Sequence, residues 1–217
     1  MLDILYQDEW LVAVNKPAGQ LVHPSDNPQP DDEVTMKFLR DQLGQKVEVI
    51  HRLDRPTTGV LLFGLCVKSS KVLRRSFEEQ AVQKNYLAFV NGVPSQENWH
   101  CDELLQKNEE SPLKPAHTEF QILEQFGVHF SLIEARPKTG RFHQIRRHLF
   151  HAGYPIVGDY RYAGIERSDE TSEQLGIGTR MLLQASTIKF SHPVTKKNLE
   201  IVAPLDEAFI AATHALS

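Results

Sequence analysis

The sequence predicts an α+β protein, because strand-like and helix-like segments follow one another without the regular alternation of parallel βαβ units. The chain has 217 residues, of which 41% are hydrophobic and 24% are charged. A chain of this size and composition can bury a sizeable core. It contains no internal repeat and no low-complexity tract, so we expect a single domain over residues 1–217.

Apolar periodicity divides the first third of the chain into strands and helices. In chain order we predict two strands within residues 4–15, a helix at 31–44, strands at 47–50 and 60–65, and a helix at 68–80. The first helix should begin at Asp31 or Asp32, which can act as N-caps, with Val34 and Phe38 on its apolar face. Gly44 should end it.

The remainder of the chain alternates less regularly. In chain order we predict a strand at 84–90 before an Asn91-Gly92 turn, a loop with one short strand at 94–115, a hairpin at 116–123 and 128–135, a helix from Thr139-Gly140 to about 151, a mobile loop at 157–180, strands at 181–190 and 198–202, and a helix at 205–212. The loop at 157–180 is predicted because that segment is mostly polar and contains Gly164, Gly176 and Gly178 among its glycines.

The composition excludes several classes of protein. The two cysteines, Cys66 and Cys101, are far apart and form no CxxC pair, which argues against a disulfide framework or a zinc ribbon. The N-terminus lacks the basic and apolar regions of a signal peptide. The apolar run at 60–67 is too short to span a bilayer. We therefore expect a cytoplasmic protein without a membrane partner.

The net charge is −4 at pH 7, but the charges are unevenly distributed. The segment 135–158 contains no acidic residue, and its basic residues are Arg136, Lys138, Arg141, Arg146 and Arg147, with His143, His148 and His151. A basic stripe on an acidic protein can bind a polyanion such as a nucleic acid. The alternative interpretation is a solvated basic helix face.

The segment His51-Arg52-Leu53-Asp54-Arg55-Pro56-Thr57-Thr58-Gly59 carries the strongest chemical signal. Pro56 disfavours a helical conformation at Arg55, and the residues that follow predict a turn. The cations on either side of Asp54 favour its ionised form, as a nucleophile or a general base requires. The alternative is an ion pair that only fixes the turn.

This segment resembles the catalytic motif H-R-L-D-x-x-T-x-G of the RluA-type pseudouridine synthases. Two further segments resemble motifs of that family in the same order: Gln83 to Ala88 its K-x-Y strand, and Arg136 to Arg146 its K-T-G-R-x-H-Q-I-R segment. Residues 4–17 are similar to the start of its catalytic domain. The resemblance implies the pseudouridine synthase catalytic fold, with a mixed, mostly antiparallel sheet, and no S4-type RNA-binding domain.

The resemblance also assigns roles to individual residues. Asp54 is the essential nucleophile or base, and Arg146 is the arginine that pairs with it. Tyr86 stacks on the target uracil, and its hydroxyl can relay a proton. Arg55 enters the RNA where the target nucleotide leaves the helix, although it could also simply neutralise Asp54.

Weaker assignments concern residues around these motifs. Lys16 is a candidate phosphate contact, and His51 and Arg52 are candidates for bracing the Asp54 loop or positioning the substrate. Arg141 and His143 are further candidate substrate-binding residues. Gln184 stands where relatives usually have a histidine, which puts in doubt a packing or hydrogen-bonding role of that histidine.

We therefore expect an isomerase that converts uridine to pseudouridine in structured RNA, with tRNA favoured over rRNA. No cofactor or metal is expected, because His143, His148 and His151 lack metal-ligand spacing and the segment lacks a carboxylate. A monomer without an obligate protein partner is expected. The alternatives are a hydrolase of the same glycosidic bond and a catalytically inactive RNA-binding protein on this scaffold.

Overall fold

The computed structural model describes residues 1–25 and 27–216. In chain order the elements are β1 (Asp3–Gln7), β2 (Leu11–Lys16), α1 (Thr35–Leu43), β3 (Glu48–Val49), β4 (Thr58–Gly64), α2 (Val67–Glu78), β5 (Gln83–Asn91), β6 (Asn98–Cys101), β7 (Thr118–Phe126), β8 (Phe130–Pro137), α3 (Gln144–His151), α4 (Ile165–Leu175), β9 (Leu183–Ser191), β10 (Asn198–Val202) and α5 (Glu207–Leu216). This mixture of helices and mostly antiparallel strands confirms the α+β class.

The chain comprises two compact units. The first contains Met1–Gln83 and Ala185–Pro204, and the second contains Lys84–Gln184 and Leu205–Ser217. The expectation of a single domain without an S4 module stays a prediction. In the described part of the chain, no helix is both long enough and apolar enough to cross a membrane.

In the first unit, β2 pairs antiparallel with β1 and β4, and β10 pairs antiparallel with β9. All seven residues of β4 are buried, which explains why this strand reads as a continuous apolar run. Leu73 of α2 packs with Leu62 of β4 and Ile188 of β9 in one hydrophobic cluster. The predicted strands and the second helix of this unit are therefore confirmed.

The predicted start of the first helix is wrong. Helix α1 begins at Thr35, and its N-cap is Val34, whose side chain makes no capping hydrogen bond. Residues before Thr35 cannot join the helix because the Glu33 carbonyl accepts a hydrogen bond from the Leu21 amide (2.9 Å). Phe38, expected in the core, is 43% exposed. The end at Gly44 is confirmed, since its φ of 64° gives a left-handed C-cap.

The turn predicted at 57–59 lies earlier in the chain. The Thr57 amide donates to the Asp54 carbonyl (3.1 Å), and β4 already begins at Thr58. Gly59 is a strand residue with φ of 102°, and a Cβ there would lie 2.1 Å from the Ala185 carbonyl oxygen. Only glycine therefore permits this close approach of the two backbones.

In the second unit, β5 pairs with β8, β8 with β7, and β7 with β6, all antiparallel. Because strand side chains alternate, β5 contributes to two clusters. Ala88 and Val90 pack with Leu149 of α3, whereas Phe89 packs with Phe209 of α5. The predicted strand, hairpin and short strand of this unit are confirmed.

Two predictions in this unit are wrong: the start of one helix, and the mobile loop at 157–180. Helix α3 begins at Gln144, not at Thr139-Gly140, because the Lys138 amide still pairs with the His117 carbonyl (3.0 Å). The predicted mobile loop contains helix α4. The buried side of α4 consists of Ser168, Thr171, Ser172 and Leu175, so hydrophobic periodicity does not reveal it.

Candidate active site

The Asp54 turn connects β3 to β4 and presents a half-buried carboxylate. Leu53 is 8% exposed and Thr57 is 2% exposed, whereas Arg55 between them is exposed. The buried residues on either side fix the turn, and the hydrogen bond from the Thr57 amide to the Asp54 carbonyl closes it. The buried side chains of Leu53 and Thr57 thus fix the backbone that carries Asp54.

Lys16, at the end of β2, stabilises this turn through hydrogen bonds from its buried side chain. Its side chain is fully buried. Nζ donates to the carbonyl oxygens of Pro17 (2.8 Å), Arg55 (3.1 Å) and Thr57 (2.9 Å). The expected phosphate contact is therefore wrong for this conformation, since burial keeps the ammonium group away from solvent. Backbone oxygens stabilise its charge instead.

His51 and Arg52 lie just before the turn. The Leu62 amide donates to Nε2 of His51 (3.1 Å), and the His51 ring stacks on Phe77 with centroids 4.7 Å apart. Arg52 is exposed, and its Nη1 lies 3.1 Å from Nε2 of His23. His51 thus ties the turn to β4 and α2, while Arg52 contacts the loop after β2.

Arg55 lies at the surface, with 52% of its side chain exposed. Its Nε donates to the Gly19 carbonyl (2.8 Å), and its Nη1 lies 3.2 Å from Oδ1 of Asp32. Among the described residues, the ion pair of Arg55 is thus with Asp32 and not with its neighbour Asp54. Sequence reasoning treated Asp32 only as a helix cap and missed this partnership.

Arg146, on α3, is buried and bound on two sides. Its Nε and Nη2 donate to Oδ2 and Oδ1 of Asp159 at 2.7 and 2.8 Å. Its guanidinium carbon lies 5.1 Å from the ring centroid of Tyr162. Sequence reasoning missed both partners. The available signal was that Asp159 is the first acidic residue after the acid-free segment.

His143 is the N-cap of α3, with a left-handed φ of 52°. The predicted longer helix would have placed His143 on the same helix face as Arg146. Because His143 precedes the first helical residue, the two side chains do not share a helix face. Its Nδ1 lies 3.0 Å from the Tyr162 hydroxyl. Burial and the nearby positive charge of Arg146 lower the pKa of His143 to about 3. The imidazole is therefore neutral at physiological pH.

The basic segment divides into two electrostatic parts. On β8 and after it, Arg136 pairs with Glu134 (2.6 Å), and Lys138 pairs with Glu119 (2.8 Å). Around α3, Arg146 pairs with Asp159, whereas two other arginines donate to uncharged carbonyls. Arg141 Nε donates to Pro115 (3.0 Å), and Arg147 Nη1 donates to Gln106 (2.7 Å). Arg141 and Arg147 therefore keep the positive charge that a polyanion requires.

Tyr86 lies on β5, opposite Ala135 of β8. It is half-buried and packs against the cluster that contains Ala88 and Leu149. Two residues earlier, Lys84 donates from Nζ to the Thr139 carbonyl (3.2 Å), and burial lowers its pKa to about 8. The two predicted members of the K-x-Y strand are thus positioned by the same sheet.

Gln184 is buried and forms a structural hydrogen bond. Its Oε1 accepts from the Asp206 amide (3.1 Å), and Asp206 in turn accepts from the Ala208 amide (2.9 Å) at the start of α5. Arg180 pairs with the same carboxylate (2.6 Å). The glutamine at this position therefore helps to fix the N-terminus of α5.

The three histidines of the basic segment make separate contacts. His148 Nδ1 lies 3.0 Å from the Thr118 hydroxyl, and His151 contacts Glu103, whereas His143 contacts Tyr162. Within residues 1–25 and 27–216, no group of three His, Cys, Asp or Glu side chains could hold a metal ion.

Comparison with known proteins identifies the class to which this arrangement belongs. Residues 10–151 match the model of the RNA pseudouridylate synthase family. The chain therefore belongs to this family, and it is an enzyme that converts uridine to pseudouridine in RNA. The resemblance based on the three sequence motifs is confirmed.

Individual relatives cover nearly the whole chain. tRNA pseudouridine synthase C of Salmonella typhimurium is 40% identical over 98% of this chain and 88% of its own length. The protein of the same name from Haemophilus influenzae is 38% identical over 95% and 94%. Among solved structures, human RNA pseudouridylate synthase domain containing 4 has a TM-score of 0.79 and 26% identity, covering 99% of this chain and 92% of its own. The expected fold is confirmed.

Proposed function

We propose that the RNA substrate of this enzyme is a tRNA and that Asp54 is the catalytic carboxylate. The observation that carries the choice of tRNA is the 40% identity to a tRNA pseudouridine synthase that extends over 98% of this chain. The similarity is not confined to the catalytic motifs, which supports a substrate of the same class. Ribosomal RNA is the alternative substrate.

The reaction requires one anionic carboxylate. The bond between uracil N1 and the ribose breaks, the base turns, and a new bond forms between the ribose and C5. The hydrogen on C5 leaves as a proton, and N1 takes up a proton. The product is an isomer, so no electrons are exchanged with a redox partner. Asp54 either attacks the nucleoside or removes a proton from the sugar. Both roles need the ionised form of the carboxylate.

Three further residues complete the proposed chemistry. Arg146, whose orientation is fixed by Asp159, balances the charge of the carboxylate. Tyr86 supports the target uracil by stacking. Arg55 fills the space that the extruded nucleotide leaves, because a planar guanidinium can stack between bases and contact phosphate. Its surface position and its weak hold on Asp32 (3.2 Å) are compatible with that movement.

The remaining candidates support the turn or bind the RNA backbone. We assign Lys16 and His51 to bracing the Asp54 turn, because their polar atoms contact its backbone or the adjacent strand. Arg52 and Arg141 are assigned to phosphate contacts. His143 is assigned to positioning Tyr162, through the hydrogen bond between them.

We also propose that the enzyme acts as a cytoplasmic monomer and requires neither metal nor cofactor. Activity that persists after dialysis against EDTA, together with the mass measured by sedimentation, tests these points. Loss of activity on chelation, restored by a divalent ion, would contradict the metal-free assignment.

The decisive experiment measures tritium release from tRNA labelled at uridine C5. Wild-type protein should release tritium and no free uracil. Asp54→Asn should release none while it binds tRNA with the wild-type affinity. Asp31→Asn, which removes an exposed carboxylate, is the matched control and should keep full activity.

Each rival function gives a different result in this assay. A hydrolase would release free uracil. An inactive RNA-binding protein would leave no modified uridine, whether wild-type protein or the Asp54→Asn variant is used. Release from labelled ribosomal RNA but not from tRNA would reverse the substrate assignment. Mapping pseudouridines in RNA from a deletion strain would then locate the target.

A further inference from the structure

An aromatic and cationic surface lies at the start of α3, within the second unit. Phe142 and Phe150 are 39% and 43% exposed. Phe142 stacks on His143 with ring centroids 3.7 Å apart and an interplanar angle of 20°. Tyr162 meets the His143 ring edge-on at 5.8 Å and the Phe150 ring at 5.9 Å. Four rings thus form a continuous surface, and two of them face solvent.

Arg161 adds a positive charge to this surface. Its guanidinium carbon lies 5.9 Å from the centroid of Phe142 and 6.0 Å from that of Tyr162. Arg161 is exposed, and it forms no ion pair within the described part of the chain. A planar cation beside an exposed ring can stack on a nucleobase or contact a phosphate.

The backbone at this point is strained, which argues for a functional reason. His143 adopts φ of 52°, a left-handed conformation that a residue other than glycine rarely adopts. Such strain persists only where the surrounding structure holds it, and it is concentrated at functional sites. Here the strained residue is His143, whose imidazole stacks on one face of the Phe142 ring. The Phe142 ring lies outside the buried core.

The chemistry of the surface selects its ligand. Apolar rings with a nearby arginine that has no ion-pair partner among the described residues suit a flat, electron-rich group attached to an anion. An unpaired nucleotide has both features, and extrusion of a base from a stem leaves unpaired bases behind. The surface also connects to the proposed catalytic arginine, since Tyr162 contacts both Arg161 and Arg146.

We propose that Phe142 and Arg161 form a stacking site for an unpaired nucleotide of the RNA other than the uridine that is converted. Phe142 supplies the face on which the base stacks, and Arg161 covers the base or binds its phosphate. This inference rests on the proposed function only in taking tRNA as the RNA that is bound.

The test compares Phe142→Leu with Phe38→Leu, a control at an equally exposed phenylalanine on α1. Binding of unfractionated tRNA and single-turnover tritium release are measured for both. Phe142→Leu should weaken binding roughly tenfold, as loss of one base–aromatic stack does. Its plateau rate at saturating enzyme should equal that of wild type, because the ring does not touch the reacting atoms.

Arg161 is tested in the same way, with Arg167→Gln on α4 as the charge-matched control. Arg161→Gln should weaken binding and lower the salt dependence by about one unit of slope. Arg161→Lys should restore the slope but not the full affinity, because an ammonium group cannot stack. Urea unfolding midpoints equal to wild type should show that the variants are folded.

A fully paired RNA duplex of similar length separates stacking from backbone binding. Phe142→Leu should bind the duplex as wild type does. Equal affinity of Phe142→Leu and Phe38→Leu for tRNA would overturn the inference, and so would an equal loss on tRNA and duplex. These results differ from failure of the proposed function, in which wild-type protein itself releases no tritium from tRNA.

Discussion

The guanidinium of Arg146 donates to both carboxylate oxygens of Asp159, and both side chains are almost completely buried, at 6% and 1% exposure. A bidentate pair of this kind fixes the plane of the guanidinium as well as its position. The orientation of Arg146, which we propose balances the catalytic carboxylate, is therefore set by a residue outside the three family motifs.

Replacing Asp159 should be costly for both stability and activity. Asp159→Ala leaves a buried arginine without its partner, and we expect the free energy of unfolding to fall by about 3–5 kcal/mol. Urea unfolding measures this loss. Tritium release below the unfolding transition should show a lower plateau rate, because the guanidinium is no longer fixed. Asp41→Ala, which breaks an exposed pair with Arg40, should change neither. An Asp159→Ala protein as stable as the control would show that the pair is not structural.

Gly59 is predicted to tolerate no side chain. In Gly59→Ala the new Cβ would lie 2.1 Å from the Ala185 carbonyl oxygen, so the two backbones must separate. We expect a loss of more than about 2 kcal/mol from overpacking and strain. Gly127→Ala is the control: its φ of 58° is also left-handed, but no atom lies within 4 Å of the new Cβ. Its loss should be about 1 kcal/mol, and equal losses in both variants would contradict the steric argument.

Lys84 should make stability depend on pH in the alkaline range. Burial lowers its pKa from 10.5 to about 8 in the folded protein, so the unfolded chain binds more protons between these values. The free energy of unfolding should therefore rise as pH rises through this window. The contribution of Lys84 is unfavourable below about pH 8.

The variant Lys84→Met isolates this effect. It should be more stable than wild type near pH 7, and the difference should shrink as the pH approaches 9.5, roughly midway through the titration. Urea unfolding at several pH values measures it, with Lys71→Met at an exposed position of α2 as control. A pH-independent difference would show that Lys84 titrates normally. The range stops below pH 10 because Tyr6, with its pKa raised to about 12, has the opposite effect there.

The two parts of the basic segment should respond differently to salt in RNA binding. Arg147 donates to a backbone carbonyl and keeps its charge available, so Arg147→Gln should weaken tRNA binding and lower the salt slope by about 1. Arg136 is already paired with Glu134, and Arg136→Gln should change the slope much less. Filter binding over a range of salt concentrations compares them. A larger effect of Arg136→Gln would place the RNA on the β8 side of the segment.

Much of the fold follows from local sequence patterns, and each exception has an identifiable physical cause. The buried strand β4 was predictable from its continuous apolar run, and the hairpin of β7 and β8 from side chains that repeat with the period of a strand. Helix α4 was missed because its buried side carries Ser168, Thr171 and Ser172 in place of larger apolar residues. The starts of α1 and α3 were misplaced because backbone pairing with distant residues, such as Leu21 and His117, occupies the preceding segments.

In the candidate site, too, local sequence patterns do not reveal contacts between distant segments. The motifs single out Asp54, Tyr86 and Arg146 as candidates, since the residue types and their order are characteristic of the family, and their roles stay predictions. The partners Asp159 and Asp32 were not predictable as such, because a salt bridge between segments depends on the folded chain. Burial reversed the interpretation of Lys16, whose sequence position alone could not reveal that three carbonyls surround it.

The environment of Lys16 has a consequence for the encounter with RNA. Two of the three oxygens around its ammonium group belong to the Asp54 turn, at Arg55 and Thr57. The conformational entropy of this turn is therefore lost when the protein folds and not when the substrate arrives. The backbone that carries the proposed catalytic carboxylate is thus preorganised, and under the proposed function binding energy from the rest of the RNA remains available for extruding the nucleotide.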